Sequence, residues 1–267
     1  MKRIKITIAY DGTKFCGWQI QPGVRTVQNE LEKAISRITG APVRVYGSGR
    51  TDSGVHAQGQ VVHFTLPESR AEVPWQRALN AIMPDDVTVL DVAYVDESFH
   101  AQFSSIRKTY VYTLWLENKF LFPCRRNYVW GCGPLDIDAL DTAMKYFLGE
   151  HDFASFQNVG TPVKNTIRTI LDFVRLPGEN EHEIKLQVCG TGFLKQMVRN
   201  MVGCLVDIGR GKAEPGFVRS VLEAKDRTLA PATAPPQGLC LSHVYYGEPK
   251  SGGPESGRNE SRIDGTV

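Results

Sequence analysis

Along this chain, segments whose apolar residues alternate, as in strands, are interspersed with segments whose apolar residues have helical spacing. The order of these two kinds of segment repeats. Ile4, Ile6 and Ile8 alternate with polar residues, which predicts a half-buried strand. A segment with helical spacing of apolar residues follows over 27–38, after Thr26 as a cap. Further segments of the same two kinds predict strands over 43–46, 60–66 and 87–94 and a helix over 74–84. The predicted order in this part of the chain is β-α-β-β-α-β.

The same order returns in the second part of the chain. Alternation of Tyr110, Tyr112 and Leu114 predicts a strand, and a helical stripe follows over 137–148. The remaining segments predict strands over 166–176, 183–189 and 239–246, a long apolar helix over 193–208 and a helix from Pro215. This order is typical of ferredoxin-like folds. We therefore predict an α+β protein of two ferredoxin-like halves, 1–104 and 105–247, whose mostly antiparallel sheets meet at a central cleft.

Composition excludes some classes of protein and leaves others open. Apolar residues make up 42% of the 267 residues, which is enough for a folded core. The net charge of +2 does not by itself indicate a nucleic-acid partner, so any basic surface must come from local clustering. The six cysteines show no C-x-x-C spacing and no secretory segment is present, which predicts reduced thiols in the cytoplasm. No segment has the apolar length of a transmembrane helix, and the six histidines lie at no metal-ligand spacing.

A glycine-rich segment over 47–57 (GSGRTDSGVHA) separates two predicted strands. Asp52 is the only acid between Glu32 and Glu68, and Arg50 lies two residues before it. An isolated carboxylate on a loop held by strands is a candidate site for chemistry on a polar substrate. The same composition also fits a structural turn in which Asp52 caps backbone amides. Local composition leaves both interpretations open.

The wider sequence carries a resemblance that bears on this choice. Residues 49–61 (GRTDSGVHAQGQV) resemble the active-site motif of the tRNA pseudouridine synthase A family. Five further motifs match in the order of that family: 10–21 (YDGTKFCGWQIQ, with TVQ at 26–28), 99–101 (FHA), 149–156 (GEHDFASF), 197–200 (MVRN) and 224–228 (AKDRT). The resemblance spans residues 4–246, and ordered motifs are more specific than any single one.

The resemblance implies a pseudouridine synthase fold with an RNA-binding cleft. It further implies a homodimer that isomerises uridine to pseudouridine at positions 38, 39 or 40 in the anticodon stem-loop of tRNAs. The reaction breaks a C–N glycosidic bond and joins uracil C5 to the sugar, so it needs no electron or group transfer. We therefore expect neither a cofactor nor a metal, and a carboxylate suffices as nucleophile or base.

Three site residues follow from the resemblance to this family. The resemblance makes Asp52 the catalytic nucleophile or base and Arg199 its ion-pair partner. Without it, Arg199 is a solvated arginine, because it projects away from the apolar stripe of its helix. The resemblance makes Tyr110 the residue that stacks on the target uracil; otherwise it is a core tyrosine of an alternating strand.

Two further contacts are implied more loosely. Arg50 is a candidate to fill the space left when the target nucleotide is extruded, and a phosphate clamp or a partner for Asp52 are alternatives. Leu239 or Leu241 is expected to supply an apolar contact to the uracil, unless both belong to an ordinary core strand. The chain departs from the family at three positions where basic residues are common there: Gln102, Thr109 and Val111.

Two competing functions remain at this stage. The first is a non-catalytic RNA-binding protein with two RRM-like modules, although the RRM signature is absent. The second is a glycosidase-like hydrolase, which normally needs two carboxylates where the 47–57 loop offers one. The tail at 248–267 lacks periodicity and is rich in Gly, Ser, Pro and mixed charge, so we predict that it is disordered rather than an RNA-binding arm.

Overall fold

The computed structural model describes residues 1–67, 73–158, 160, 163 and 165–247. The predicted disordered tail at 248–267 lies outside the described residues. The elements in the first part of the chain are β1 (Lys2–Tyr10), α1 (Val27–Thr39), β2 (Tyr46–Gly47), β3 (His56–Leu66), α2 (Trp75–Asn80) and β4 (Val87–Val95). Their strands lie in the order β4-β1-β3-β2, and every pair among them is antiparallel.

The second part repeats this arrangement with additions. Its elements are β5 (Ser105–Trp115), β6 (Trp130–Gly131), α3 (Ile137–Lys145), β7 (Gly149–Asp152), β8 (Ile167–Pro177), β9 (Glu183–Gly190), α4 (Met197–Gly209), α5 (Phe217–Ala224) and β10 (Leu239–Tyr246). The long strands lie in the order β10-β5-β9-β8. In both parts the fourth strand lies beside the first and the third beside the second, so the predicted ferredoxin-like α+β topology is confirmed. The division into two domains at residue 104 stays a prediction.

The two halves join edge to edge in one ten-stranded sheet, with β4-β1-β3-β10-β5-β9-β8-β7 along its length. The edge of β3 that faces away from β1 pairs with two different strands. One end of it pairs with β2 at His63 and Val62, and the other pairs in parallel with β10 at His56 and Ala57. The junction predicted as a cleft between two sheets is therefore a short parallel seam within one sheet.

A row of side chains crosses this seam on one face of the sheet. Tyr10 on β1 lies opposite Ala57 on β3, Ala57 opposite Leu241 on β10, and Leu241 opposite Tyr110 on β5. Residues directly opposite one another share a face. The row joins the apolar face of β1, where Ile4, Ile6 and Ile8 are fully buried, to the second half. Any loop lying over this row contacts both halves.

Helix α4 differs from its prediction in start and environment. The apolar segment from Phe193 predicts a helix there, but the helix begins at Met197 because Gln196 has φ of 62°, outside the right-handed region. Eleven of its thirteen residues are buried. One face packs on α3, and the segment 230–236 crosses another, close enough that Gly203 has no room for a side chain beside the Ala232 carbonyl. The predicted polar side of this helix is therefore covered by chain that follows it.

Strands β3 and β2 also differ from the predicted strands at their ends. Strand β3 begins at His56 rather than at residue 60, because β10 supplies a partner for its first residues. The short β2 begins at Tyr46, at the end of the segment predicted as a strand. No helix in the described ranges is long and apolar enough to cross a membrane.

Candidate active site

The loop that carries Asp52 runs from β2 to β3 and is held by the segment after β1. Trp18 N donates to Thr51 O at 3.1 Å, and the Thr51 hydroxyl lies 2.8 Å from the Tyr10 hydroxyl. Gly17 has φ of 85°, and a Cβ on it would lie 2.7 Å from Thr51 O. A glycine is needed there for both reasons. The motif at 10–21 thus supports the loop that carries Asp52.

The opposite side of the loop is fixed by β3. Ser48 N donates to Val61 O at 2.8 Å, and the Ser48 hydroxyl donates to Gln60 Oε1 at 2.6 Å. Gln60 Nε2 in turn donates to Gly49 O at 2.9 Å. Because Ser48 and Gln60 are fully buried, this pairing holds the loop without competition from water.

His56 braces the end of the same loop. Gly12 N donates to its Nδ1 at 3.0 Å, and its Nε2 lies 2.8 Å from Asn127 O. The Asp11 carboxylate also lies 3.2 Å from Nδ1. His56 thus contacts backbone groups on both sides and fixes this end of the loop.

Asp52 meets Arg199 across the seam. Arg199 Nη1 donates to Asp52 Oδ2 at 2.8 Å, across 147 residues of sequence. Its Nε donates to Ala234 O at 2.8 Å, so the guanidinium is held at two points. The Arg199 side chain is only 12% exposed and the Asp52 side chain only 20% exposed. The interpretation of Arg199 as a solvated surface residue is therefore wrong, because segment 230–236 covers its side of α4.

This pair arranges the carboxylate for chemistry. The guanidinium offsets the cost of removing an ionised carboxylate from water. Among the described residues none donates a hydrogen bond to Asp52 Oδ1. One oxygen is thus fixed by Arg199 and the other is left for a substrate.

Tyr110 lies next to this carboxylate in the row across the seam. It is 8% exposed, and its ring packs edge-on against Phe193 with 5.0 Å between centroids. Burial raises the pKa of Tyr110, and the charge of Asp52 raises it further. The phenol therefore stays neutral at physiological pH. Tyr110 is both a core residue and a neighbour of Asp52, so the two interpretations of it are compatible.

The strand register separates the two candidate leucines. Leu241 lies opposite Tyr110, whereas Leu239 lies opposite Tyr112, the next residue on the same face of β5. Leu241 also pairs with Ala57 of β3 and is fully buried. Of the two, Leu241 is placed beside Tyr110.

Arg50 is exposed and forms no ion pair with any residue that the structure describes. It is therefore not a partner of Asp52 in this structure, and the nucleotide-replacing and phosphate-binding roles stay predictions. The departures at Thr109 and Val111 alternate with Tyr110 along β5, so they belong to the other face of the sheet. Gln102 is exposed in the turn before β5.

A support behind Arg199 was not predicted. The Asn200 side chain is fully buried; its Nδ2 donates to Phe156 O at 2.7 Å, and its Oδ1 accepts from Arg227 at 3.1 Å and from Thr233 at 2.7 Å. The backbones of Arg199 and Ala234 also pair at 3.1 Å. Three of the matched motifs, 149–156, 197–200 and 224–228, therefore meet here. The motif match marked these residues, but nothing in their spacing indicated that they touch.

Comparison with known proteins identifies the family of this chain. A sequence profile described as tRNA pseudouridine synthase matches residues 6–104 and 143–247. The chain belongs to this family. The family resemblance drawn from the six motifs is thus confirmed, and with it the pseudouridine synthase fold.

Several relatives named tRNA pseudouridine synthase A align over nearly the full chain of this family member. The one from Maridesulfovibrio salexigens is 67% identical over 98% of this chain and 97% of its own. The one from Solidesulfovibrio magneticus is 51% identical, with 93% of each chain covered. The one from Anoxybacillus flavithermus is 47% identical over 92% of this chain and 99% of its own.

A solved archaeal box H/ACA sRNP Nop10–Cbf5 complex also matches, with a TM-score of 0.36 and 15% identity over 76% of this chain and 44% of that chain. A likeness at this level supports no statement about function. Within the described part of the chain, no group of three His, Cys, Asp or Glu side chains lies close enough to hold a metal ion.

Proposed function

We propose that this protein isomerises uridine to pseudouridine in tRNA, with Asp52 as the catalytic nucleophile or base and without a cofactor. The observation that carries the proposal is the 2.8 Å contact between Asp52 Oδ2 and Arg199 Nη1. Asp52 lies on the loop whose sequence matches the family motif. The pair of Asp52 and Arg199 joins this loop of the first half to helix α4 of the second half. Relatives that are 67% and 51% identical carry the name tRNA pseudouridine synthase A.

Each neighbouring group has a part in the proposed reaction. Arg199 keeps Asp52 charged while its Oδ1 faces the uracil or the sugar. Tyr110, neutral because burial raises its pKa, stacks on the uracil and offers a hydroxyl near the C5 proton. Leu241, opposite Tyr110, supplies the apolar contact. Two reacting groups held in a fixed frame reduce the entropy lost on reaching the transition state.

We propose uridines 38, 39 and 40 of the anticodon stem-loop as the targets. A stacked base must leave the helix before a carboxylate on the protein can reach it. We propose that Arg50, exposed two residues from Asp52, fills the space that the base leaves. We place the activity in the cytoplasm, where tRNA is modified and where the six unpaired cysteines would stay reduced.

The test uses purified protein and tRNAs that carry uridine at position 38, 39 or 40, with pseudouridine mapped by mass spectrometry. We expect turnover without added cofactor and in the presence of EDTA. Asp52→Asn should abolish turnover and retain tRNA binding, whereas Asp138→Asn, at an exposed carboxylate in the first turn of α3, should behave as the wild type.

Other outcomes would decide for another function. Release of free uracil would indicate a hydrolase, and binding without any modified nucleotide would indicate an RNA-binding protein. Modification confined to the T-loop or to ribosomal RNA would contradict the proposed targets while leaving the chemistry in place.

A further inference from the structure

A pair of cations lies beside the Asp52 loop and takes no part in the chemistry described above. Lys108 is on β5, two residues before Tyr110, so both project from the same face of the sheet. Lys108 Nζ donates to Ser48 O at 2.7 Å, on the loop that carries Asp52. Arg168 is on β8, two residues before Ile170.

The strand register puts these two cations on neighbouring rows of one face of the sheet. Lys108 lies opposite Gly190 on β9, and Gly190 lies opposite Ile170 on β8, two residues after Arg168. The charge of Arg168 acts on Lys108, so the two side chains are near one another. Two further glycines border the pair: a Cβ on Gly49 would lie 3.6 Å from Lys108 Nζ, and a Cβ on Gly192 would lie 3.6 Å from Arg168 Nε.

Neither cation is neutralised by the protein. Both side chains are half-buried, and no carboxylate among the described residues forms an ion pair with either. Burial lowers the pKa of Lys108 to about 8, and the charge of Arg168 contributes to this shift. Burial also lowers the pKa of Arg168. Two partly desolvated like charges without a counter-ion are unfavourable on their own, so the arrangement favours a bound anion.

We propose that Lys108 and Arg168 form a phosphate-binding site that holds one backbone phosphate of the RNA, next to the nucleotide that enters the Asp52 site. The assignment of RNA as the anion rests on the proposed function. The ammonium of Lys108 has three protons and gives one to Ser48 O, so two remain for phosphate oxygens. Arg168 uses Nη1 for Asn165 O and Ile167 O, which leaves Nε and Nη2 for the same phosphate.

The site also links binding to the position of the loop. The same ammonium that contacts the phosphate holds the Ser48 carbonyl, four residues before Asp52. A phosphate seated on Lys108 therefore sets the distance between the RNA backbone and the carboxylate. This differs from a cation that only adds to the general attraction for RNA.

The experiment uses anticodon stem-loop RNAs in which one phosphate at a time is replaced by a neutral methylphosphonate. Binding is measured by fluorescence anisotropy for wild type, Lys108→Gln, Arg168→Gln and Arg175→Gln. The last is the matched control, because Arg175 lies on the same strand but is paired with Asp141 at 2.8 Å. Melting temperatures confirm that the variants are folded.

We expect one linkage near the target uridine at which the methylphosphonate weakens wild-type binding roughly tenfold, the size of a lost charge-assisted hydrogen bond. With unmodified RNA, Lys108→Gln and Arg168→Gln should each bind more weakly than the wild type by a similar factor. For these variants, a methylphosphonate at that linkage should weaken binding by no more than about twofold further. Each should also reduce the slope of log affinity against log salt by about one. Arg175→Gln should keep the wild-type pattern.

Two results would overturn the proposal. The first is that a methylphosphonate weakens RNA binding by the Lys108 and Arg168 variants equally at every linkage. This result would mean that no single phosphate is bound at these residues. The second is displacement of RNA by low-millimolar inorganic phosphate that Lys108→Gln abolishes, which would assign the site to a free anion. The binding assay needs no turnover, so failure of wild-type protein to form pseudouridine would count against the proposed function and leave this test standing.

Discussion

The two oxygens of Asp52 differ in their contacts, because only Oδ2 accepts a hydrogen bond from a residue that the structure describes. Oδ2 accepts from Arg199, which is held in turn by the carbonyl of Ala234. A lysine at position 199 could keep the charge but not both contacts, because an ammonium on a flexible stem lacks the planar fork of a guanidinium. Geometry, and not charge alone, is therefore what Arg199 contributes.

This leads to a prediction about Arg199. We expect Arg199→Gln to lower kcat on the order of 100-fold, the usual size of losing one preorganised electrostatic contact. Arg199→Lys should recover only part of that loss. Single-turnover pseudouridine formation measures both, with tRNA binding as the control. Full activity in Arg199→Lys would mean that the second contact, to Ala234, has no role in catalysis.

Lys108 gives a prediction for pH. Its pKa is lowered to about 8 by burial, with Arg168 as the second cause, so the folded protein loses this charge as pH rises through that value. RNA affinity should fall between pH 7 and pH 9 more steeply than in Lys108→Arg, which keeps its charge. The effect on folding has the opposite sign, because the unfolded state still binds the proton between about pH 8 and pH 10.5, and stability from this group rises with pH there. Anisotropy and denaturant melts at both pH values measure the two trends.

At the scale of the elements, helix α4 depends on the segment that crosses it. Asn200 connects Phe156, Arg227 and Thr233, and the same crossing segment supplies the carbonyl that fixes Arg199. Arg199 is therefore positioned with the help of a buried polar network around Asn200, the next residue of the helix. Such networks are costly when one member is removed, because the other groups stay buried without partners.

We expect Asn200→Ala to destabilise the fold by about 1–3 kcal/mol, the cost of leaving buried polar groups unpaired. Activity should fall by more than this loss of folded protein explains, because segment 230–236 no longer holds Arg199. Chemical denaturation and kcat measured on the folded fraction separate the two effects. A kcat equal to that of the wild type would show that Arg199 does not need this support.

The elements also show what sequence can and cannot predict here. The strands with alternating side chains, such as β1 and β5, and the helix after Thr26 were predicted, because their periods are local. The early start of β3 at His56 was not, since it depends on a partner that lies more than 180 residues later. The surroundings of Arg199 were missed for the same reason: a helical period reports which side is polar but not that a later segment covers it. Asp52 was already a candidate from the composition of its loop, whereas Arg199 was singled out by the resemblance alone.

At the scale of the whole molecule, the two halves are joined by very little backbone. The parallel pairing of β10 with β3 involves two residue pairs, Cys240 with His56 and Leu241 with Ala57. Close approach continues at Gly59, where a Cβ would collide with the Ser242 carbonyl. Both halves must therefore come together at this seam before Asp52 can pair with Arg199.

We predict that Gly59→Ala destabilises the protein by a few kcal/mol, because backbone on both sides must shift. Gly216→Ala is the matched control, since a Cβ there meets nothing within 4 Å. Thermal unfolding measures both. Equal melting temperatures for the two variants would mean that the seam can widen without cost.

The quaternary state is a further prediction at this scale. We expect a homodimer, as the family resemblance implies, in which an extended RNA is gripped by both subunits. Light scattering at micromolar concentration measures the mass. A monomer with full activity would contradict this.

The position of β10 has a consequence for how the protein is made. This strand is the last element described in the chain, yet it lies in the middle of the sheet, between β3 and β5. Until it leaves the ribosome, both of those strands have an open edge, and Asp52 and Arg199 belong to halves that nothing joins at the seam. A chain that ends before β10 would therefore hold Asp52, Tyr110 and Arg199 and still lack the strand that joins the two halves at the seam.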